Sequence, residues 1–126
     1  MKKIIPFLMA LLLLAGCGAQ SEESTYRQIN AEEAATMMEE ESSYIILDVR
    51  TTEEYSEKHI PGAINIPNET IAKKEPAQLP DKQQKILVYC ASGARSKIAC
   101  GKLMLLGYEN VLNFGGINGW TGPVER

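Results

Sequence analysis

The stretch KILVYCASGARS, at residues 85–96, decides the fold. Four apolar residues, Ile86–Tyr89, form an unbroken run of strand formers, which is typical of a strand that is covered on both faces. Cys90 follows at the carboxyl end of this strand. Helix-favouring residues then continue from Ser96 to Leu106, until Gly107 stands in the position of a C-cap. The sequence therefore predicts a strand, a tight loop and a helix, in that order.

The loop between this strand and this helix suits a reactive thiolate. In parallel sheets, ligands bind beyond the carboxyl ends of the strands, where the next helix offers unpaired N–H groups and a positive dipole end. A thiol in that position has a lowered pKa, and a cation such as Arg95 lowers it further. Cys90 is therefore predicted to be a nucleophile, with a buried structural cysteine as the alternative.

The first residues are predicted to be a targeting segment. A basic start at Met1–Lys3 is followed by an apolar run, Ile4–Ala15, which is shorter than a typical bilayer span. The run ends in LAGC at residues 14–17, which resembles the bacterial lipobox. That resemblance implies cleavage before Cys17 and lipidation of its thiol, and the alternative is an uncleaved N-terminal anchor.

Three regions of the chain follow from this interpretation. Residues 1–16 are the lipoprotein signal peptide, residues 17–25 are the lipidated cysteine with a small, polar, flexible tether, and residues 26–126 are the domain. The expected location is the extracytoplasmic face of a bacterial cell membrane, where the lipid anchors the protein.

The charge and the metal-ligating residues exclude two classes of function. The chain has 13 basic and 16 acidic residues, and an acidic balance argues against a nucleic-acid partner. It has one histidine and, besides Cys17, two thiols, which is too few for a persuasive metal site. We expect neither a metal nor another cofactor.

The second cysteine of the domain is assigned to packing. On a helical wheel, Cys100 falls with Ala99 and Leu103 on one face. The alternative is that it resolves an oxidised Cys90, although a bond between the two is difficult without unwinding the start of the helix.

The remaining elements are predicted from apolar runs and capping residues. They are an edge strand at Tyr26–Ile29, a helix at residues 31–41 capped by Asn30, a buried strand at Tyr44–Leu47, a short helix capped by Thr51 or Thr52, a third strand near Ile64, a last strand at Tyr108–Leu112 and a tight turn, with or without one helical turn, at Gly115–Trp120. Because strands and helices alternate, the predicted fold class is α/β, with a mostly parallel sheet flanked by helices in three layers.

Several polar or aromatic residues are placed near the rim or the core. Asp48 and Arg50 follow the second strand and are expected on the same rim as the reactive cysteine. Arg50 is expected to pair with Glu54, with direct substrate contact as the alternative. His59 is expected to bond the backbone rather than act as a general base. Trp120 is expected to be a lid on the core, or else to line the pocket rim.

Several stretches together, in this order, resemble the rhodanese-like family. They are DVR at 48–50, EY at 54–55, HIPGAINIP at 59–67, CASGARS at 90–96, and GGI at 115–117 with Trp120. The resemblance implies a rhodanese-like domain in which Cys90 carries sulfur. Lys58 stands where the family often has glycine, a surface change that is not expected to affect the chemistry.

The predicted activity is that of a sulfurtransferase. It would move a sulfane sulfur from thiosulfate, polysulfide or a persulfide to a thiol or cyanide, through a persulfide on Cys90. Arg95 is assigned to lowering the thiol pKa, attracting an anionic donor and helping to hold the loop. The backbone of the loop is assigned to substrate binding, through Ala91, Ser92, Gly93, Ala94 and Ser96.

Three other functions stay open at this stage. Cysteine-dependent phosphatases set five residues between cysteine and arginine, whereas four separate Cys90 from Arg95, and the shorter loop suits a persulfide better. A sulfur-relay or partner-binding module that turns over slowly is the main alternative. A thiol redox protein using Cys90 and Cys100 is a further one, although the chain has no Cys-x-x-Cys motif.

Overall fold

Five strands form the central sheet of the computed structural model, which describes residues 25–126. The main elements in chain order are β1 (Arg27–Gln28), α1 (Ala31–Glu40), β2 (Tyr44–Asp48), α2 (Thr52–Glu57), β3 (Ile64–Asn65), β4 (Lys85–Cys90), α3 (Ala94–Leu105) and β5 (Val111–Gly116). Short 3-10 helices add Asn68–Thr70 and Ile117–Gly119.

Every strand pairing in the sheet is parallel, in the order β1-β5-β4-β2-β3. The predicted α/β class, with helices flanking a parallel sheet, is confirmed. The predicted signal peptide at residues 1–16 and the predicted lipidation site Cys17 lie outside the described residues. Within residues 25–126, no helix has the length and apolar character needed to cross a membrane.

The unbroken apolar run of β4 faces two separate cores. Ile86, Val88 and Cys90 pack on the face of the sheet that carries α3, whereas Leu87 and Tyr89 pack on the opposite face with α1. Since successive side chains of a strand point to opposite faces, a strand with helices on both sides has no position for a polar residue. Burial on both faces therefore explains why the run lacks the polar alternation of a half-exposed strand.

Side-chain caps fix the starts of the first two helices. In α1, Asn30 accepts the amide N–H of Glu33, and the Glu33 carboxylate accepts the N–H of Asn30. Thr51 and Glu54 form the same reciprocal box at the start of α2. Both caps match the sequence predictions, and each satisfies two amides that the helix itself leaves unpaired.

Helix α3 begins two residues earlier than predicted, at Ala94 rather than Ser96. Gly93 has a φ of 109°, and this left-handed conformation turns the chain from β4 into the helix without further loop residues. The helix ends before Gly107, whose φ of 98° fits the predicted capping role.

The last strand lies later in the chain than predicted. Tyr108 lies before the strand begins at Val111. Its side chain is buried in the core, where its hydroxyl donates to the carbonyl of Leu79 at 2.6 Å. β5 then runs through Gly115 and Gly116, which were predicted to begin a tight turn, whereas the helical turn expected in the same stretch is the 3-10 helix Ile117–Gly119. Gly115 has a φ of 94°, and the register between β4 and β5 shifts at this point. The glycine pair thus forms an irregularity inside the strand.

Candidate active site

Cys90 is the last residue of β4, and its sulfur lies inside the turn that leads to α3. The residue is 1% exposed. Its Sγ accepts the amide N–H of Gly93 at 3.0 Å and, as a thiol, donates to Oγ of Ser96 at 3.5 Å. The Ser96 hydroxyl in turn donates to the carbonyl of Gly93 at 3.0 Å, which holds it beside the sulfur. The sulfur is buried, but polar groups surround it.

These polar groups decide the pKa of the Cys90 thiol. Burial by itself raises the pKa, because a charged sulfur loses contact with water. The Ser96 hydroxyl and the amides of Ser96, Gly93 and Arg95 lower it, and together they outweigh burial. The net pKa lies below the ordinary value for cysteine, so the site favours the thiolate, which is the nucleophilic form.

The backbone of the cysteine loop lies so close to β5 at Gly116 that only glycine fits there. A Cβ on Gly116 would lie 1.9 Å from the carbonyl oxygen of Ala91. The same oxygen accepts the amide N–H of Asn118 at 3.1 Å. Gly116 was not predicted as a site residue, because a glycine pair in a sequence does not say which backbone will approach it. The contact holds the first residue of the loop in place.

An open cleft of about 650 Å³ adjoins the loop. Ala91 and Ser92 line it on the loop side, and Asn118 and residues of the α1 start line the rest. Ser92 and Ala94, two of the predicted substrate-binding residues, are exposed, and Ser92 lines the cleft. Cys90 does not line it, so a small ligand in this cleft would contact the loop at Ala91 and Ser92.

Arg95 forms an ion pair that the sequence did not predict. Its guanidinium donates to both oxygens of Glu54, at 2.7 and 3.0 Å. This pair raises the pKa of Arg95 and lowers that of Glu54 to about 2, chiefly through the hydrogen bonds between them. Among the groups that lower the thiol pKa, Arg95 contributes its backbone amide.

The predicted pairing of Arg50 with Glu54 is wrong. Arg50 instead turns back to Asp48, donating from Nε and Nη2 at 2.7 to 3.1 Å, and Nη2 also donates to the carbonyl of Lys58. The hydroxyl of Tyr89 donates to Asp48 at 2.7 Å. The side chains of Asp48 and Arg50 are 0% and 5% exposed, so they form a buried network behind the loop rather than part of its rim.

His59 and Trp120 have structural surroundings. Nδ1 of His59 lies 2.8 Å from the carbonyl of Tyr55, and the two rings stack with centroids 3.8 Å apart. The expected backbone contact of His59 is present. Trp120 packs against Phe114 at 5.9 Å between ring centroids and donates to the carbonyl of Pro123, in the lid position expected for it.

Cys100 is buried on the inner face of α3 with Ala99 and Leu103, as the helical wheel predicts. It is a free thiol, as is Cys90. Burial raises the pKa of Cys100 to about 12, so this thiol stays protonated at neutral pH. Across residues 25–126, histidine, cysteine and acidic side chains do not gather into a group of metal-binding size.

The comparison with known families agrees with this geometry. The model of the rhodanese-like domain matches residues 30–123. The chain belongs to the rhodanese-like domain family. The matched residues include the cysteine loop, the strands β4 and β5 and the ion pair of Arg95 with Glu54. The family assignment therefore includes the whole candidate site.

Relatives of this rhodanese-like chain are named for sulfur transfer. The thiosulfate sulfurtransferase PspE of Escherichia coli is 39% identical over 77 residues, which are 61% of this chain and 74% of that protein. A sulfurtransferase of Allochromatium vinosum is 35% identical over 95 residues, which are 75% and 87% of the two chains. YrkF of Bacillus subtilis, whose name refers to sulfur carriage, is 34% identical, and the chain spans 59% of its length. These relatives support sulfur transfer as the general activity.

Solved structures confirm the fold. A rhodanese-related protein of Thermoplasma volcanium has a TM-score of 0.67 at 34% identity, covering 79% of this chain and 98% of that one. A rhodanese of E. coli with bound anions has a TM-score of 0.61 at 34% identity, covering 67% and 99%. The rhodanese-like domain of an Anabaena protein has a TM-score of 0.70 at 29% identity, covering 80% of each.

Proposed function

We propose that this rhodanese-like protein is a sulfurtransferase that moves a sulfane sulfur through a persulfide on Cys90. One observation carries the proposal. The sulfur of Cys90 sits at the carboxyl end of β4 and accepts the Gly93 amide at 3.0 Å, among donors that together lower its pKa. A site that stabilises a thiolate also suits the anionic outer sulfur of a persulfide.

The reaction has two displacements. The Cys90 thiolate attacks the outer sulfur of thiosulfate, the donor's S–S bond breaks, and its electron pair leaves with sulfite. The product is a Cys90 persulfide. A nucleophile such as cyanide then attacks the outer sulfur and leaves as thiocyanate, which returns the thiolate. A thiol acceptor takes the same sulfur and becomes a hydropersulfide.

Intact mass spectrometry tests this proposal directly. The protein is incubated with thiosulfate and, separately, with polysulfide. We expect the wild type to gain the mass of one sulfur atom and Cys90→Ser to gain none. Cys100→Ser serves as the matched control and gains sulfur like the wild type. Sulfur on Cys90→Ser, or none on any form with either donor, would contradict the proposal.

A sulfur-relay module is the second candidate, and the burial of Cys90 favours it. Because Cys90 is 1% exposed as a residue, movement of the loop would open its sulfur to donors, and a docked partner is one means of moving the loop. Steady-state transfer from thiosulfate to cyanide separates the two functions. Many turnovers indicate an independent enzyme, whereas one loading without turnover indicates the relay.

We further propose that lipid on Cys17 tethers the domain to the outer side of a bacterial cell membrane. The lipobox-like LAGC at residues 14–17 supports this proposal. Fractionation of a bacterium that expresses the full chain tests it. Wild-type protein is expected in the membrane fraction with the mass of acyl chains on Cys17, whereas Cys17→Ala is expected to carry no acyl chain in either fraction. A wild type without bound lipid would contradict the tether.

A further inference from the structure

Arg95 is the only cationic residue between Cys90 and Ser96, and its charge is already paired. The guanidinium and the Glu54 carboxylate meet through two parallel hydrogen bonds, at 2.7 and 3.0 Å. Each side chain is 33% exposed, so the pair lies at the surface beside the cysteine loop. Glu69 adds a smaller electrostatic contribution that also raises the pKa of Arg95. The guanidinium is thus bound to one carboxylate and influenced by a second.

The α2 cap fixes the position of the Glu54 carboxylate. Its Oε1 accepts the backbone N–H of Thr51 at 3.0 Å and the Thr51 hydroxyl at 3.1 Å. Glu54 therefore belongs to a capping box and to the pair with Arg95 at once. Since the hydrogen bond from Arg95 lowers the Glu54 pKa to about 2, the carboxylate is charged at neutral pH. Arg95 is thus paired with a carboxylate that the cap positions and that stays charged at neutral pH.

We infer that Glu54 sets the charge selectivity of the loop, favouring a singly charged hydropersulfide donor over dianionic thiosulfate. The inference rests on the sulfur transfer proposed above. The Glu54 carboxylate binds two of the five N–H groups of the Arg95 guanidinium and balances its charge, so the pair attracts a dianion weakly. The ring of backbone N–H groups, which carries no net charge, suits one negatively charged sulfur.

The leaving group of thiosulfate also carries more negative charge than the leaving group of a hydropersulfide. With either donor, the Cys90 thiolate bonds to the outer sulfur while the donor's S–S bond breaks. Thiosulfate releases sulfite, which carries two negative charges away from the loop. A hydropersulfide releases a thiolate, which carries one. The second negative charge of thiosulfate and of sulfite needs a free cation, and Glu54 occupies the one that the loop offers.

Glu54→Gln tests the inference while preserving the cap. Glutamine also serves at this position of a capping box, so α2 keeps its start, and only the negative charge is lost. Glu53→Gln is the matched control, because Glu53 is an exposed neighbour on the same helix and its loss changes the net charge equally. The donors are thiosulfate and cysteine hydropersulfide, and the readout is kcat/KM for loading of Cys90.

For Glu54→Gln we expect kcat/KM with thiosulfate to rise about five-fold at low ionic strength, mainly through a lower KM. The gain shrinks as salt screens the exposed guanidinium. With cysteine hydropersulfide, kcat/KM changes less than about two-fold, because a donor of lower charge responds less to one charge. Glu53→Gln leaves the ratio of the two donors unchanged, and Glu69→Gln shifts it toward thiosulfate by less than Glu54→Gln.

Two results would overturn the inference. In the first, Glu54→Gln lowers kcat/KM for both donors by the same factor, which makes Glu54 a structural support of the loop. In the second, Glu54→Gln leaves kcat/KM for both donors as in the wild type or shifts their ratio toward the hydropersulfide. In both, wild-type Cys90 still takes up sulfur, so the proposed sulfur transfer survives. If wild-type Cys90 takes sulfur from neither donor, sulfur transfer and the inference built on it fail together.

Discussion

At the scale of single residues, Ser96 supports the reactive Cys90 through several contacts of one side chain. Its hydroxyl lies 3.5 Å from the sulfur, donates to the carbonyl of Gly93, and lies 3.3 Å from the carbonyl of Gly115. One side chain therefore joins the thiol, the turn and β5. Serine is common in loops and helix starts, so the sequence could place Ser96 in the cradle through its amide without revealing this second role.

Replacing Ser96 should make Cys90 harder to ionise. In Ser96→Ala the thiolate loses the contributions of the hydroxyl to its lowered pKa, while burial still raises the pKa. The midpoint of iodoacetamide alkylation against pH should move to higher pH, with slower alkylation at neutral pH. Ser56→Ala, an exposed serine on α2, should match the wild type. A midpoint that falls or stays constant in Ser96→Ala would mean that the Ser96 hydroxyl does not lower the pKa of Cys90.

The buried pair of Asp48 and Arg50 carries a prediction about stability. Asp48→Asn leaves the Arg50 guanidinium in a dry site without its counter-charge, which should lower the free energy of unfolding by about 3–5 kcal/mol. Asp81→Asn changes an exposed aspartate and should cost less than about 1 kcal/mol. Urea unfolding followed by circular dichroism measures both. Equal losses in the two variants would contradict the importance of the buried pair.

At the scale of elements, replacing two different glycines by alanine should change stability in opposite directions. Gly101 lies in α3 with open space where a Cβ would stand, so Gly101→Ala should stabilise the protein by about 0.5–1 kcal/mol. In Gly116→Ala the new Cβ meets the carbonyl of Ala91, so β5 and the loop must separate, at a cost of about 1–3 kcal/mol.

Thermal unfolding measures both glycine variants, and sulfur loading of Cys90 separates their effects on the site. Gly116→Ala should load sulfur poorly as well as melt earlier, because it displaces the first residue of the loop. Gly101→Ala should load like the wild type. Normal loading by a destabilised Gly116→Ala would mean that the loop does not depend on this contact.

What the sequence predicts best is structure that local patterns determine. The apolar run of β4 and the capping residues Asn30 and Thr51 act through neighbours a few positions away, and the first two were placed correctly, while Thr51 was one of two adjacent candidates. The pair of Glu54 with Arg95 joins residues that are 41 positions apart. Spacing along a helix instead suggested Arg50 as the partner of Glu54, and only the packing of β2 against β4 shows that Arg50 is buried beside Asp48.

At the scale of the whole molecule, the ion pair makes stability depend on pH in acid. Glu54 has a folded-state pKa of about 2 against an ordinary value of 4.5. A carboxyl with a lowered pKa contributes stability above its unfolded pKa and loses that contribution as pH falls through the folded one. The stabilising effect of Glu54 should therefore be complete above about pH 5 and should fade toward pH 2.

Urea unfolding of the wild type and Glu54→Gln between pH 7 and pH 3 checks this expectation. The wild type should have the higher free energy of unfolding at pH 7, and the difference should shrink as the pH falls below the ordinary glutamate range. Glu53→Gln, which lacks the partner, should show no such trend. A difference that stays constant down to pH 3 would mean that Glu54 does not stabilise the fold through its charge.

The outermost strand β1 pairs with β5, so the two ends of the domain are joined across 85 positions, for example by the amide of Asn113 donating to Gln28. While the ribosome is still making the chain, β1 has nothing to pair with and β4 lacks its neighbour on one side. The sheet is complete only once Val111–Gly116 has left the exit tunnel. Until then the nascent polypeptide exposes an unprotected strand edge, which is the kind of surface that chaperones shield from aggregation.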